Sequence, residues 1–275
     1  MRHVAFLGPS GTNSEEALLD LGLGEVVPLP CVSIDDVFAA VAEGRAESGV
    51  VPIENSVEGS VNATLDALAF DYELHITAEH VLDIHHLLVV APGTGLEQVT
   101  SVTSHPQATA QARRWLSDNL PGRPVLAANS TAEAVQRAVA EPGVAAVGTA
   151  LAAQLYGGEV LARDIEDHSG NQTRFVVVGS GICPRTGDDK TSLALFLQAD
   201  KPGALLMILS EFAYGQINLT KIQSRPTKKQ LGQYMFYVDL EGHAEDHDVT
   251  LALECLRLKL RTVKLLGSYP VAGKR

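Results

Sequence analysis

The sequence is poor in cysteine, in positive charge and in long apolar runs. Its three cysteines, Cys31, Cys183 and Cys255, are far apart and odd in number, which argues against a disulfide framework and fits a reducing compartment. Lys and Arg number 21 against 33 Asp and Glu, a formal charge of −12. This excludes a chain whose main work is gripping phosphate backbones or anionic bilayers, so neither a nucleic-acid nor a membrane partner is expected. Apolar runs such as residues 87–91 are far below the about 18 residues needed to cross a bilayer, and the opening run is too short for a signal peptide. A cytoplasmic protein handling small molecules is the expectation. Neither His-Glu-x-x-His nor Cys-x-x-Cys occurs. His80, His85 and His86 lie close together, but adjacent strand residues face opposite ways, so no metal is expected. Gly-x-Gly-x-x-Gly, Gly-Lys-Ser/Thr and Gly-x-Ser-x-Gly are also missing.

What is present is a globular composition, 45% hydrophobic and 20% charged. Short apolar runs alternate with helical periodicity from the start to about residue 178. Strands are read at 4–7, 48–51, 85–90, 99–103, 125–128, 144–148 and 174–178. Helices are read at 14–21, from Ser33 with Asp36 through Val41, at 56–69, 108–116, 131–140, and from about 149 through Leu155. The alternation indicates α/β architecture with mostly parallel sheets. A Gly/Pro-rich break at 179–189 follows. Beyond it come strand 191–198, helix 203–214, strands 218–224 and 233–240, helix 248–261 and strand 263–268, a ferredoxin-like β-α-β-β-α-β order. Two domains are expected, over residues 1–180 and 190–270.

Several loops carry chemistry. Gly8-Pro9-Ser10-Gly11-Thr12 lies between a strand and a helix, where free N–H groups suit an anion or simply make a turn. Pro52-Ile53-Glu54-Asn55-Ser56 leaves a buried strand at the end where open α/β sheets bind ligands, although Asn55 or Ser56 could merely cap a helix. Ser104-His105-Pro106-Gln107 also follows a strand, and Gln107 and Gln111 share a helix face. His105, before a proline, reads equally as structural. In Asn171-Gln172-Thr173-Arg174-Phe175 the planar fork of Arg174 suits a carboxylate.

Taken together, Gly8–Ser14, Pro52–Val61, Ser104–Gln107, Thr173–Phe175, Pro202–Leu205 and Ser224–Pro226 resemble the prephenate dehydratase family over essentially the whole chain. The resemblance implies a two-lobed catalytic domain, similar to type II periplasmic binding proteins, with its active site between the lobes. A ferredoxin-like ACT domain that senses phenylalanine is implied behind it. With the first motif at residue 8, a monofunctional enzyme without a preceding mutase segment is expected. The implied reaction converts prephenate to phenylpyruvate, CO2 and water, without metal or cofactor. Thr173, Glu54, Asn55, Ser104 and Gln111 fall on family positions tied to activity. Arg174, Phe175, Gly11, Thr12 and Ser56 are expected to bind substrate. Gly203, Ala204, Leu205, Leu206, Asn218, Gln223, Ser224, Arg225 and Pro226 are expected to bind the effector L-phenylalanine. Gln223 stands where the family motif usually has glutamate, which keeps an acceptor oxygen but removes the charge that favours an amino group. A homodimer or homotetramer is expected. Arogenate dehydratase and a non-catalytic binding module with an amino-acid sensor remain as alternatives.

Overall fold

The computed structural model describes residues 2–227 and 234–273, and these form three sheets. The first lobe carries β1 (Arg2–Leu7), β2 (Val26–Cys31), β3 (Ser48–Asn55), β4 (Gly59–Ser60), β5 (His75–Asp83) and the late strand β11 (Gln172–Gly179). Their order is β2-β1-β3-β11-β5, with β4 beside β3. The second lobe holds β6 (Leu87–Val90), β7 (Ser101–Ser104), β8 (Val125–Ala127), β9 (Val144–Gly148) and β10 (Glu159–Ala162), ordered β10-β6-β9-β7-β8. The chain crosses between the lobes twice, over residues 84–86 and 163–171. Helices α1 (Asn13–Asp20), α2 (Ile34–Ala42) and α3 (Asn62–Asp66) belong to the first lobe. Helices α4 (Pro106–Gln111), α5 (Arg113–Asn119), α6 (Thr131–Ala140) and α7 (Ala150–Tyr156) belong to the second. Ser33 and Ser130 cap α2 and α6 by accepting from the Asp36 and Glu133 N–H groups, as their spacing predicts.

The C-terminal sheet contains β12 (Asp189–Phe196), β13 (Leu219–Pro226), β14 (Tyr234–Glu241) and β15 (Thr262–Pro270), with helices α8 (Ala204–Tyr214) and α9 (His247–Lys259). Its antiparallel order β13-β14-β12-β15 is the ferredoxin-like topology expected from the sequence. The start expected for β14, Gln233, lies outside the described residues.

Three local expectations are corrected. The sheets of the two lobes are mixed rather than mostly parallel, because β11 returns antiparallel to both β3 and β5, and β6 runs antiparallel to β9 and β10. The helix expected over 56–69 starts at Asn62, after Asn55 has turned the chain by accepting from the Val57 and Glu58 N–H groups, and ends in a wider π turn, Ala67–Asp71. The helix expected over 108–116 is two short helices meeting at Ala112.

The first sheet is buried on both faces. On one, Val4, Phe6, Val50, Phe175 and Val177 pack with Ala17 and Leu18 of α1. On the other, Ala5, Val51, Val176 and Val178 share a core with Phe38 and Leu68 that continues into Phe196, Met235 and Tyr237 of the C-terminal sheet. Burying each such large apolar side chain contributes about 1.5–3 kcal/mol. The C-terminal sheet docks where β15 meets β5, and Gly267 permits it, since a Cβ there would collide with the Ile76 backbone. Among the described residues no helix is long and apolar enough to cross a membrane.

Candidate active site

The position of the cleft follows from the alternation of side chains along β11. Phe175 and Val177 point to the α1 side, Val176 and Val178 to the C-terminal sheet. Thr173 therefore shares a face with Phe175, and Arg174 points the other way. Opposite them β3 bulges: Thr173 pairs with Asn55, Arg174 with Glu54 and Phe175 with Pro52, so Ile53 is the extra residue. The bulge brings Asn55 and Pro52 onto the same side as Thr173 and leaves Glu54 beside Arg174.

Between the lobes lies a cavity of about 390 Å³. The first lobe contributes Thr12, Ser14, Asn55 and Thr173. The second contributes His105, Gln107, Gln111 and Ser130, and the two crossings contribute His86 and Asn171. No Asp, Glu, Lys or Arg lines it among the described residues. The N-termini of α1 and α6 open onto it from opposite lobes. Thr12 does not cap α1, because its hydroxyl donates to the Leu7 carbonyl at 3.0 Å, so the first N–H groups of that helix have no capping side chain.

A directed chain of amides runs across the cleft. The Val57 and Glu58 N–H groups donate to Asn55 Oδ1, both at 3.0 Å, which fixes the orientation of that amide. Asn55 Nδ2 then donates to Asn171 Oδ1 at 2.8 Å and to Thr173 Oγ1 at 2.9 Å. Asn171 Nδ2 in turn donates to Gln111 Oε1 at 3.0 Å. That oxygen can only accept, so His86, 2.8 Å away, meets it with a protonated Nε2. Of the residues assigned to a site from the sequence, Thr173, Asn55, Gln111, Phe175 and Thr12 line this cavity.

Other expected site residues lie elsewhere. Arg174 does not line the cavity: its guanidinium sits 2.7 Å from Asp239, 3.2 Å from Glu79 and 3.4 Å from Glu54, under the C-terminal sheet. Burial opposes its charge, but Asp239, Tyr269 and Glu79 outweigh burial and raise its pKa. Glu54 also faces away, toward Arg174 and Lys221. Ser104 is fully buried and donates to the Val147 carbonyl inside the second lobe. Ser56 accepts from the Gln172 N–H and ties down the second crossing. Gly11, at φ 89°, packs on Ala152 of the other lobe, and its carbonyl accepts from Thr149 at 2.7 Å. It joins the lobes, a role that the loop's composition does not reveal.

The expected effector residues Gln223, Ser224 and Arg225, with their β13 neighbours Lys221 and Ile222, divide between two faces of the C-terminal sheet. Lys221, Gln223 and Arg225 lie opposite Asp239, Tyr237 and Met235, toward the first lobe, where Arg225 pairs with Asp66. Ile222 and Ser224 lie opposite Val238 and Phe236, on the helix-bearing side. Gly203 precedes α8 at φ 85°, and Leu206 on that helix is 68% exposed. His85, Asp164 and Glu166 converge outside the cavity, a cluster hidden from sequence spacing because the second crossing supplies its acids. His86 and Asn171 had no assigned role in the sequence reading. Asn171 was within reach of it, being two residues before Thr173 and so expected on the same side of the strand.

The fold and site define a two-lobed α/β protein with a ligand cleft and a ferredoxin-like C-terminal unit. The family model of prephenate dehydratase matches residues 4–182. A prephenate dehydratase of Mycolicibacterium vanbaalenii is 44% identical, covering 98% of this chain and 91% of its own. The prephenate dehydratase of Arthrobacter aurescens, solved in complex with L-Phe, superposes with a TM-score of 0.91 at 39% identity, covering 99% of this chain and 91% of its own. GqqA, a structure described as a novel type of quorum-quenching acylase, superposes at 0.89 with 31% identity over 99% of both chains. The chain belongs to the prephenate dehydratase family.

Proposed function

We infer that this chain converts prephenate to phenylpyruvate, a step toward phenylalanine. The observation that carries the reading is the Thr173 hydroxyl, which accepts from Asn55 inside a cleft fronted by helix N-termini of both lobes. Prephenate is a dianion whose ring becomes aromatic when its quaternary carboxylate leaves as CO2 and its hydroxyl leaves as water. One proton is consumed, and the driving force belongs to the substrate. The chain's task is to hold two carboxylates and ease the departure of hydroxide. In a cavity lined by no Lys or Arg among the described residues, the N-termini of α1 and α6 and the neutral amides and hydroxyls hold the charge. Thr173 is too weak an acid to surrender its proton outright. Its O–H donates to the oxygen that leaves, and such a donor can lower a barrier by about 3 kcal/mol.

Two alternatives are less well supported. Among the described residues no acidic side chain lines the cavity to receive an ammonium, which favours prephenate over its amino counterpart arogenate. An acylase needs a nucleophile activated by a base, and among the described residues no cavity hydroxyl is bonded to a histidine ring.

Residues 1–180 are read as the catalytic portion, with lobes of the type II periplasmic-binding-protein kind, and residues 190–270 as an ACT domain. We read the helix-bearing side near Gly203, Leu206, Ile222 and Ser224 as the L-phenylalanine site and as a contact in a homodimer or homotetramer. The half-exposed Ile222 and the exposed Leu206 there support this. A cytoplasmic enzyme is the consistent reading. The test is to mix the purified chain with prephenate and follow phenylpyruvate by ultraviolet absorbance, with and without L-phenylalanine. Turnover that falls on adding L-phenylalanine is expected; a folded chain that forms no phenylpyruvate overturns the reading.

A further inference from the structure

Thr173 and Arg174 are consecutive on β11, so whatever fixes the Arg174 side chain also fixes the backbone that carries Thr173. Its strongest partner is Asp239 of β14, in the C-terminal sheet, at 2.7 Å. Asp239 is itself held, since its other oxygen accepts from Ser192 at 2.6 Å, and Ser192 is bonded to the buried Tyr269. Around this contact lie the carboxylates of Glu54 and Glu79 and the ammonium groups of Lys190 and Lys221. Three cations therefore face three anions where the first lobe meets the C-terminal sheet. If that sheet shifted without Arg174, charges would be left unpaired out of water, a strongly unfavourable state. The strand must follow. The cluster also has spare bonding capacity: Arg174 Nε is buried without a hydrogen-bond partner. A second arrangement of the same charges is therefore open to it.

We propose that Asp239 is a positioning residue for Thr173, acting through Arg174, and that this contact is the joint through which the C-terminal unit alters turnover. The inference rests on the proposed reading of Thr173 as the reacting alcohol and of the C-terminal unit as the effector domain.

The experiment compares Asp239→Asn with the unaltered full-length chain by steady-state kinetics, calorimetric L-phenylalanine binding and circular dichroism. In the folded variant without effector, kcat is expected to fall at least about tenfold with KM within about threefold, because small misplacements of a reacting group act on the chemical step. L-Phenylalanine is expected to bind within about threefold of its original affinity yet to inhibit less deeply, which a merely stabilising residue would not produce. Unchanged kcat overturns the positioning role. Inhibition lost in step with binding overturns the joint and moves Asp239 into the effector site. If the unaltered chain binds no L-phenylalanine, the effector reading and the joint fail together, while the kcat–KM split still judges the positioning role. If Asp239→Asn does not fold, Ser192→Ala, which frees Asp239 from one side, is expected to lower kcat by about threefold, and unchanged kcat there overturns the proposal equally.

Discussion

Asn55 Nδ2 donates to Thr173 Oγ1 across 2.9 Å, so the threonine oxygen accepts and its own proton remains available to a ligand in the cleft. The direction cannot reverse while the Val57 and Glu58 N–H groups occupy Asn55 Oδ1. Asn55→Asp keeps the shape and the turn but replaces the donor by an acceptor, which would draw the Thr173 proton away from substrate. We expect kcat to fall by about 10–10²-fold at neutral pH with the fold intact, read from saturating-substrate kinetics.

Arg174 belongs to the joint between the first lobe and the C-terminal sheet. Arg174→Gln leaves Glu79 and Asp239 short of a buried partner, and loss of one member of such a cluster costs about 3–5 kcal/mol of stability, read from the urea midpoint. Prephenate KM is expected to stay within about threefold. A KM raised by about 30-fold or more would return Arg174 to the substrate carboxylate.

Ser104 is a packing residue of the second lobe. Ser104→Ala removes the donor to the buried Val147 carbonyl and is expected to cost about 1–3 kcal/mol. Turnover at a temperature well below the melting point should stay within about twofold of the unaltered chain. A much larger loss of kcat would put Ser104 back in the reaction.

Acid sensitivity is expected from His75. Burial, the largest influence, lowers its pKa below the ordinary 6.5, and Nδ1 has no partner. Its folded-state pKa being the lower one, the stability it contributes is complete above pH 6.5 and is lost as pH falls through the folded value. A second loss is expected below pH 3.8 from Asp189, where burial raises the pKa but the Thr186 hydroxyl and the Thr186 and Gly187 N–H groups lower it further. Urea midpoints measured against pH should fall in both windows, and His75→Gln should flatten the upper one only.

Much of this architecture was legible in the sequence because it is written locally. The first strand, the Ser33 and Ser130 caps and the β-α-β-β-α-β order of the C-terminal part all rest on periodicity and capping. β2 escaped because Pro28 and Pro30 argue against a strand, yet it lies at a sheet edge, where missing N–H donors are tolerated. β5 escaped because its polar Glu79 is buried only by virtue of Lys190 and Arg174, residues about a hundred positions away. The site was legible as a set of loops but not by side. Alternation shows that Thr173 and Arg174 face opposite ways, without showing which face meets the ligand. The β3 bulge, which sends Glu54 away and keeps Asn55, appears only once the partner strand is in place.

The central claim concerns one alcohol, and Thr173→Val tests it with the shape of the residue preserved. Calorimetric binding of prephenate, completed before appreciable turnover, and phenylpyruvate formation should be measured on the same preparation. Binding within about threefold of the unaltered chain, with formation slowed at least about 10²-fold, is the predicted result. Phenylpyruvate formation at the original rate would contradict the account.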